Sequence, residues 1–132
     1  MNTNLRVASL ALCTLAAFAA FLPACSGTTR TGVAYTLKAD REVEAFLPGD
    51  LKAVHAAGEA VIAKQFRYRV TRAAADAREG IIEALTAKGD IVRVETYYVS
   101  ERVTRTEVFV GPLGDEPIMK DILNAMEKSL RK

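Results

Sequence analysis

A chain of 132 residues, half of them hydrophobic and 26% charged, has the length of one domain. Its 18 basic residues stand against 16 acidic ones, and a formal charge of +2 gives no strongly basic face for nucleic acid. The only cysteines are Cys13 and Cys25 and the only histidine is His55, so neither a disulfide framework nor a cysteine-rich zinc site is expected.

The composition is uneven. Residues 1–24 carry a single charged side chain, Arg6, and much of the apolar content. Met1 to Arg6 is a short polar start. Val7 to Leu22 is an uncharged run of sixteen residues, and the polar run Cys25-Ser26-Gly27-Thr28-Thr29-Arg30 stops it. A spanning helix needs about 20 apolar residues, so the run is short for one and suits the apolar core of a secretory signal. An ordinary signal peptide cut after Ala24 and an uncleaved anchor helix are the two simpler readings. Cys25 stands at the boundary of the apolar run, with Leu22 three residues before it and the small Ala24 directly before it. That pattern resembles the lipobox of bacterial lipoproteins. The resemblance implies cleavage between Ala24 and Cys25 and lipidation of Cys25, with a thioether-linked diacylglycerol and an acylated amino group. Several chains make such anchoring stable where one is marginal. Ser26 rather than Asp after the cysteine implies sorting to the periplasmic face of the outer membrane. The mature chain then keeps 108 residues and one cysteine, its charge close to neutral.

Residues 26–32, Ser-Gly-Thr-Thr-Arg-Thr-Gly, have linker composition. They predict a short polar tether, roughly 25 Å when extended. A single domain is expected over 33–132. Val33, Tyr35 and Leu37, then Val43 and Ala45, predict strand, turn or bulge, and strand. Pro48-Gly49 breaks this run, and Asp50 is a fitting N-cap for an amphipathic helix over Leu51 to Gln65. Gly58 lies at the centre of its apolar arc and is expected to permit close approach to a sheet. Phe66, Tyr68 and Val70 alternate with Arg67, Arg69 and Thr71, which predicts a strand. Short turns at 76–80, 88–90 and 100–102 separate it from strands over Ile81–Thr86, Ile91–Val99 and Val103–Val110, an antiparallel meander. On the last strand Thr104, Thr106, Val108 and Val110 share a face. A closing helix begins near Asp115-Glu116-Pro117, with Ile118, Met119, Ile122, Leu123, Met126 and Leu130 in one stripe and Glu127 on the other. The order is β-α-β-β-β-β-α. The fold class is α+β: a four- to five-stranded antiparallel sheet with both helices packed on one face.

Leu47-Pro48 before the first helix, the meander, Thr104, and Val108-Phe109-Val110-Gly111-Pro112-Leu113-Gly114-Asp115-Glu116 before the last helix resemble a family of small Gram-negative lipoproteins classed as a domain of unknown function. The likeness covers nearly the whole mature chain. Its sharpest part is the Val-Gly-x-x-Gly-Asp-Glu turn. The family pattern carries Arg where this chain has Phe109, and no role passes to that position. The resemblance implies a β-α-β4-α unit behind a lipobox signal and assigns no activity.

No arrangement of residues predicts catalysis, a metal site or a cofactor. A lone His55 at the edge of an apolar arc is expected to pack rather than act as base or ligand. Asp115 and Glu116 read as helix capping. Gly111-Pro112-Leu113-Gly114 reads as a strand-to-helix turn, because the two carboxylates at the helix mouth would repel a phosphate. Arg67, Arg69, Arg72, Arg78, Arg93, Arg102 and Arg105 are expected to put positive charge on the wet face of the sheet, paired across strands with Glu79, Glu83, Glu95 and Glu107. Arg67 and Arg69 are the candidate contacts to anionic head groups or cell-wall polymer. Of Tyr97 and Tyr98, one is expected in the core and the other exposed. The function expected is a non-enzymatic, membrane-anchored envelope protein that binds a protein or cell-wall component. The alternative is a small-ligand binder using a crevice between sheet and helices.

Overall fold

Strand periodicity is cleanest in the last strand, and that strand is the middle of the sheet. Val103–Val110 (β7) buries Thr104, Thr106, Val108 and Val110 on the side where its sequence alternation puts them. The computed structural model describes residues 25–132. Ala24, the expected cleavage position, and the apolar segment lie outside the described residues. The other strands, in chain order, are Cys25–Thr28 (β1), Ala34–Leu37 (β2), Val43–Pro48 (β3), Arg69–Ala75 (β4), Glu79–Leu85 (β5) and Ile91–Ser100 (β6). The order across the sheet is β1-β2-β3-β7-β6-β5-β4, and every pair is antiparallel.

The helix Leu51–Ala60 (α1) starts where Asp50 accepts the Ala53 amide at 2.7 Å, and it runs on into a π-helical turn, Val61–Gln65. The helix Glu116–Leu130 (α2) starts where Asp115 accepts the Ile118 amide at 3.2 Å. Both lie on one face of the sheet. There Ile62, Met119, Ile122, Leu123 and Met126 meet Val43, Leu47, Ile82, Val94 and Val108 in one continuous core. Gly58 behaves as its place in the apolar arc predicts. A methyl group there would come within 3.0 Å of Ile82 Cδ1 and 3.1 Å of Met126 Cε, so bare backbone lets α1 approach both β5 and α2.

The architecture is the α+β class expected, but the sheet has seven strands rather than four or five. The difference lies at the N-terminal edge, where Ala34–Leu37 and Val43–Pro48 are two separate strands and a further strand precedes them. Residues 26–32 are not a free tether. Cys25–Thr28 pairs with Ala34–Leu37 as a hairpin, in the register Cys25 to Leu37 and Thr28 to Ala34. The turn is closed by Thr29 N–H to Val33 O at 2.8 Å, and Thr29 Oγ1 accepts the Val33 amide. Thr31 donates through its hydroxyl to Asn124 Oδ1, and Arg131 donates to Thr31 O. These bonds flank Glu127, which is 2% exposed and paired with Arg131. A residue assigned to the polar stripe of α2 is therefore buried.

Two smaller differences concern β4 and β6. β4 begins at Arg69 rather than Phe66. The π-helical turn extends the preceding helix to Gln65, and Arg67 then reverses the chain at φ +55°. Neither Tyr97 nor Tyr98 enters the core. Tyr97 lies on the outer face, and Tyr98 is 51% exposed because the β5 ladder ends opposite Tyr97. The interior at that level is filled by Thr96, Thr104 and Thr106.

Candidate functional site

Two surfaces carry the side chains that sequence reasoning singles out. The first is the outer face of the sheet, opposite the helices. Its register sets three carboxylates in a row, Glu44 opposite Glu107 and Glu107 opposite Glu95. Like charges directly opposite one another destabilise a sheet, so this row needs cations. Lys38 donates to Glu107 at 3.1 Å, Arg93 reaches Glu42 at 2.7 Å and Glu95 at 3.2 Å, and Arg105 lies 3.7 Å from both Glu44 and Glu107. Partial burial works against the charge on Lys38, but its bond to Glu107, with Asp40 and Glu42 nearby, holds its pKa above the usual range. Arg105 also stacks over Tyr97 at 4.3 Å, and Arg93 over Phe109 at 5.4 Å. Tyr97 donates to Glu95 Oε2 at 2.6 Å, and that bond holds the phenol well above its ordinary pKa. Such a phenol is a donor, not a base.

The arginines expected on this face thus divide. Arg93 and Arg105 are bound into the charge lattice, and Arg69 and Arg72 stand on the outer side of edge strand β4. Arg67, Arg78 and Arg102 lie in turns. The expected partners divide as well. Glu95 and Glu107 join the lattice, while the nearest carboxylates to Arg93 include Glu42, which sequence reasoning does not single out.

The second surface is one end of the sheet. The turns at 38–42, 86–90 and 111–115 all lie there, because Leu37, Leu85 and Val110 end their strands on that side. β1 starts there too, since Cys25 is level with Leu37, Val43 and Val108 across the sheet. Gly111 and Gly114 take φ +70° and +72°, and the turn between them lifts Leu113 to 70% exposure. Arg41 Nη1 donates to Leu113 O at 3.1 Å and ties this turn to the 38–42 turn. A groove of about 670 Å³ runs beside it, between Tyr68, Ala87, Pro112 and Pro117. Arg67 and Arg69 share a shallower hollow with Lys88 on the same end. Among the described residues, Arg41, Arg67, Arg69 and Lys88 have no carboxylate within ion-pair distance. Sequence reasoning names Arg67 and Arg69 but not Leu113. The signal was a large apolar residue isolated between two glycines.

His55 is placed as expected, at 9% exposure over Gly80 and Thr96. Its Nδ1 has no hydrogen-bond partner among the described residues. Burial lowers its pKa, with Glu59 opposing. The unfolded chain therefore binds the proton more readily than the folded one. Stability is expected to fall as pH drops below the ordinary histidine value of about 6.5, by at most about 1.4 kcal/mol per pH unit. Thermal melts of the wild type and His55→Gln between pH 7.5 and pH 5 check this: the variant should lose that part of the slope, and parallel curves would refute it. Among the described residues no three His, Cys, Asp or Glu side chains are grouped as metal ligands, and no helix is long and apolar enough to cross a membrane.

Comparison with protein families gives a match over residues 5–129 to a model described as a protein of unknown function, DUF3568. The chain belongs to the DUF3568 family. The match takes in the whole uncharged run of residues 7–22 as well as the sheet and most of the last helix. Comparison with curated proteins gives no match.

Proposed function

We propose that this DUF3568 protein is a lipoprotein, cleaved before Cys25, acylated on that residue, and held on the periplasmic face of the outer membrane. There it acts as a non-enzymatic binding or structural component of the envelope. The observation that carries the reading is Leu22-Pro23-Ala24-Cys25 at the end of an uncharged run of sixteen residues. Ser26 after the cysteine supports the choice of membrane. The fold is consistent with it: cleavage before Cys25 would keep all seven described strands and both helices.

A binding role is favoured over catalysis by how the polar groups are used. On the outer face Arg93 and Arg105 pair with Glu42, Glu44, Glu95 and Glu107, Asp50 and Asp115 cap helices, and His55 is packed away. The small-ligand alternative needs a crevice between sheet and helices. The layer between them is filled by Ile62, Met119, Ile122 and Met126, all at 0% exposure, which leaves that alternative only the open groove at the end of the sheet, between the 111–115 turn and the start of α2. Cys25→Ala is expected to move the protein from the membrane fraction to the soluble fraction with its thermal melt unchanged. A variant that stays in the membrane fraction would rule out the lipid anchor.

A further inference from the structure

The position of β1 turns an anchor into an orientation. Resting on the lipidated Cys25 proposed above, we infer that the end of the sheet bearing Leu113 lies against the bilayer, with the Gly111–Gly114 turn inserted at the level of the lipid head groups.

The geometry follows from register. Cys25 lies on edge strand β1 and is level with Val108 of β7, so no free linker separates the acylated residue from the sheet. Val110 lies two residues beyond that level, or about 7 Å at the rise of a strand. The 111–114 turn stands beyond Val110. Lipid chains attached at Cys25 therefore bring this turn to the membrane surface unless the whole domain tilts away. The lateral offset is small: β1 and β7 are three strands apart, about 14 Å at the usual spacing.

The chemistry of this end suits that position. Among the described residues Leu113 is the most exposed large hydrophobic at 70%, and it projects at the tip of a turn with exposed Pro112 beside it. The flanking groove adds Tyr68, Ala87 and Pro117 to the apolar surface that would leave water. Arg41 and Lys88 stand beside the tip, and Arg67 and Arg69 stand on the same end beyond Lys88, all four cations without ion-pair partners among the described residues. The carboxylates on this end are largely engaged. Asp40 and Glu116 lie with Lys38 and Lys120, and Asp115 caps α2, which leaves Asp90. An apolar tip with long cationic side chains on the same end buries its centre in the interface and keeps those charges among anionic phosphates, with Asp90, Asp115 and Glu116 lining the groove on its other side. The opposite end has a different character. Its turns carry Asp76, Arg78, Glu101 and Arg102, and its exposed Tyr98 and Val99 belong to strand β6 rather than to the tip of a turn.

The chain contains no tryptophan, so a single introduced one reports its own surroundings. Leu113→Trp and Glu101→Trp place the probe at opposite ends of the sheet. Each acylated protein is reconstituted in vesicles of phosphatidylethanolamine and phosphatidylglycerol with brominated acyl chains, and the mass of the mature chain is measured alongside. In Leu113→Trp the expected result is a blue-shifted indole quenched about twofold or more, as for a side chain about 5–10 Å into the interface. In Glu101→Trp the indole should be unquenched. Equal quenching in the two variants, or none in a Leu113→Trp protein whose mass shows an acylated Cys25, overturns the orientation and leaves the anchor standing. A mass without lipid overturns the anchor and, with it, the orientation.

Discussion

Gly80→Ala is expected to destabilise the domain by about 1–3 kcal/mol, the usual range for overpacking a filled interior. In a chain of this size that is a fall in Tm on the order of 5–20 °C. A methyl group at Gly80 would stand 2.6 Å from His55 Nδ1, 2.7 Å from Thr96 Oγ1 and 3.1 Å from Ala75 Cβ. None of these can retreat cheaply. His55 is held by α1 over the sheet, Thr96 is fully buried and donates to Gly80 O at 3.4 Å, and Ala75 is the register partner of Gly80 on β4. The backbone angle at Gly80 is not in the left-handed region, so the requirement is for space rather than conformation. Urea midpoints of the wild type, Gly80→Ala, His55→Ala and the double variant separate the causes. Removing the imidazole should recover part of the loss, because two groups in contact do not add independently. An unchanged midpoint in Gly80→Ala, or strict additivity in the double variant, would remove the steric account.

What the sequence discloses depends on how much burial each residue's period encodes. α2 was legible because one stripe of six apolar residues faces a whole layer of sheet, and four of them, Met119, Ile122, Leu123 and Met126, are fully buried. β7 was legible because both neighbours are strands and its inner face is wholly covered. In the β1–β2 hairpin, β2 was legible from Val33, Tyr35 and Leu37, but β1 was not. An edge strand four residues long has one partner and little burial, and Ser26, Gly27 and Thr28 look the same in a linker. Glu127 was misassigned for the same reason, since only the unrecognised hairpin brings Thr31 to the end of α2. The charge lattice was half legible. Pairing of arginine with glutamate was expected, but the particular partners depend on the β3–β7–β6 register, which places Glu44, Glu107 and Glu95 side by side. The candidate membrane surface was legible in Arg67 and Arg69 alone. Leu113 gains meaning only when the start of β1 is found on the same end of the sheet as its turn.

Gly27→Val is expected to detach β1 while leaving the rest of the sheet folded. A side chain on residue 27 would meet the Tyr35 ring, with Cβ 2.6 Å from the phenol oxygen and 2.8 Å from Cε1. Tyr35 is not free to move. It donates to Glu116 Oε1 at 3.2 Å, Lys120 lies 5.6 Å from its ring centre, and the ring packs against the core. β1 is the weaker party, a four-residue edge strand whose ladder has β2 alone as partner. Hydrogen exchange should show protection lost over residues 25–28 and kept in β3, β6 and β7, with β2 still paired to β3. The same substitution separates the two ways of attaching the domain to a membrane. With β1 released, residues 25–32 become a real tether of eight residues, about 28 Å at full extension. In the acylated Leu113→Trp background the protein should then remain in the vesicles, while the introduced indole loses most of its quenching because the sheet end is no longer held at the surface. If residues 25–28 stay protected in Gly27→Val, the steric seat of Gly27 under Tyr35 is refuted. If the hairpin opens and the indole remains quenched, the apolar tip holds the domain on the bilayer by itself and the start of β1 is not what orients it.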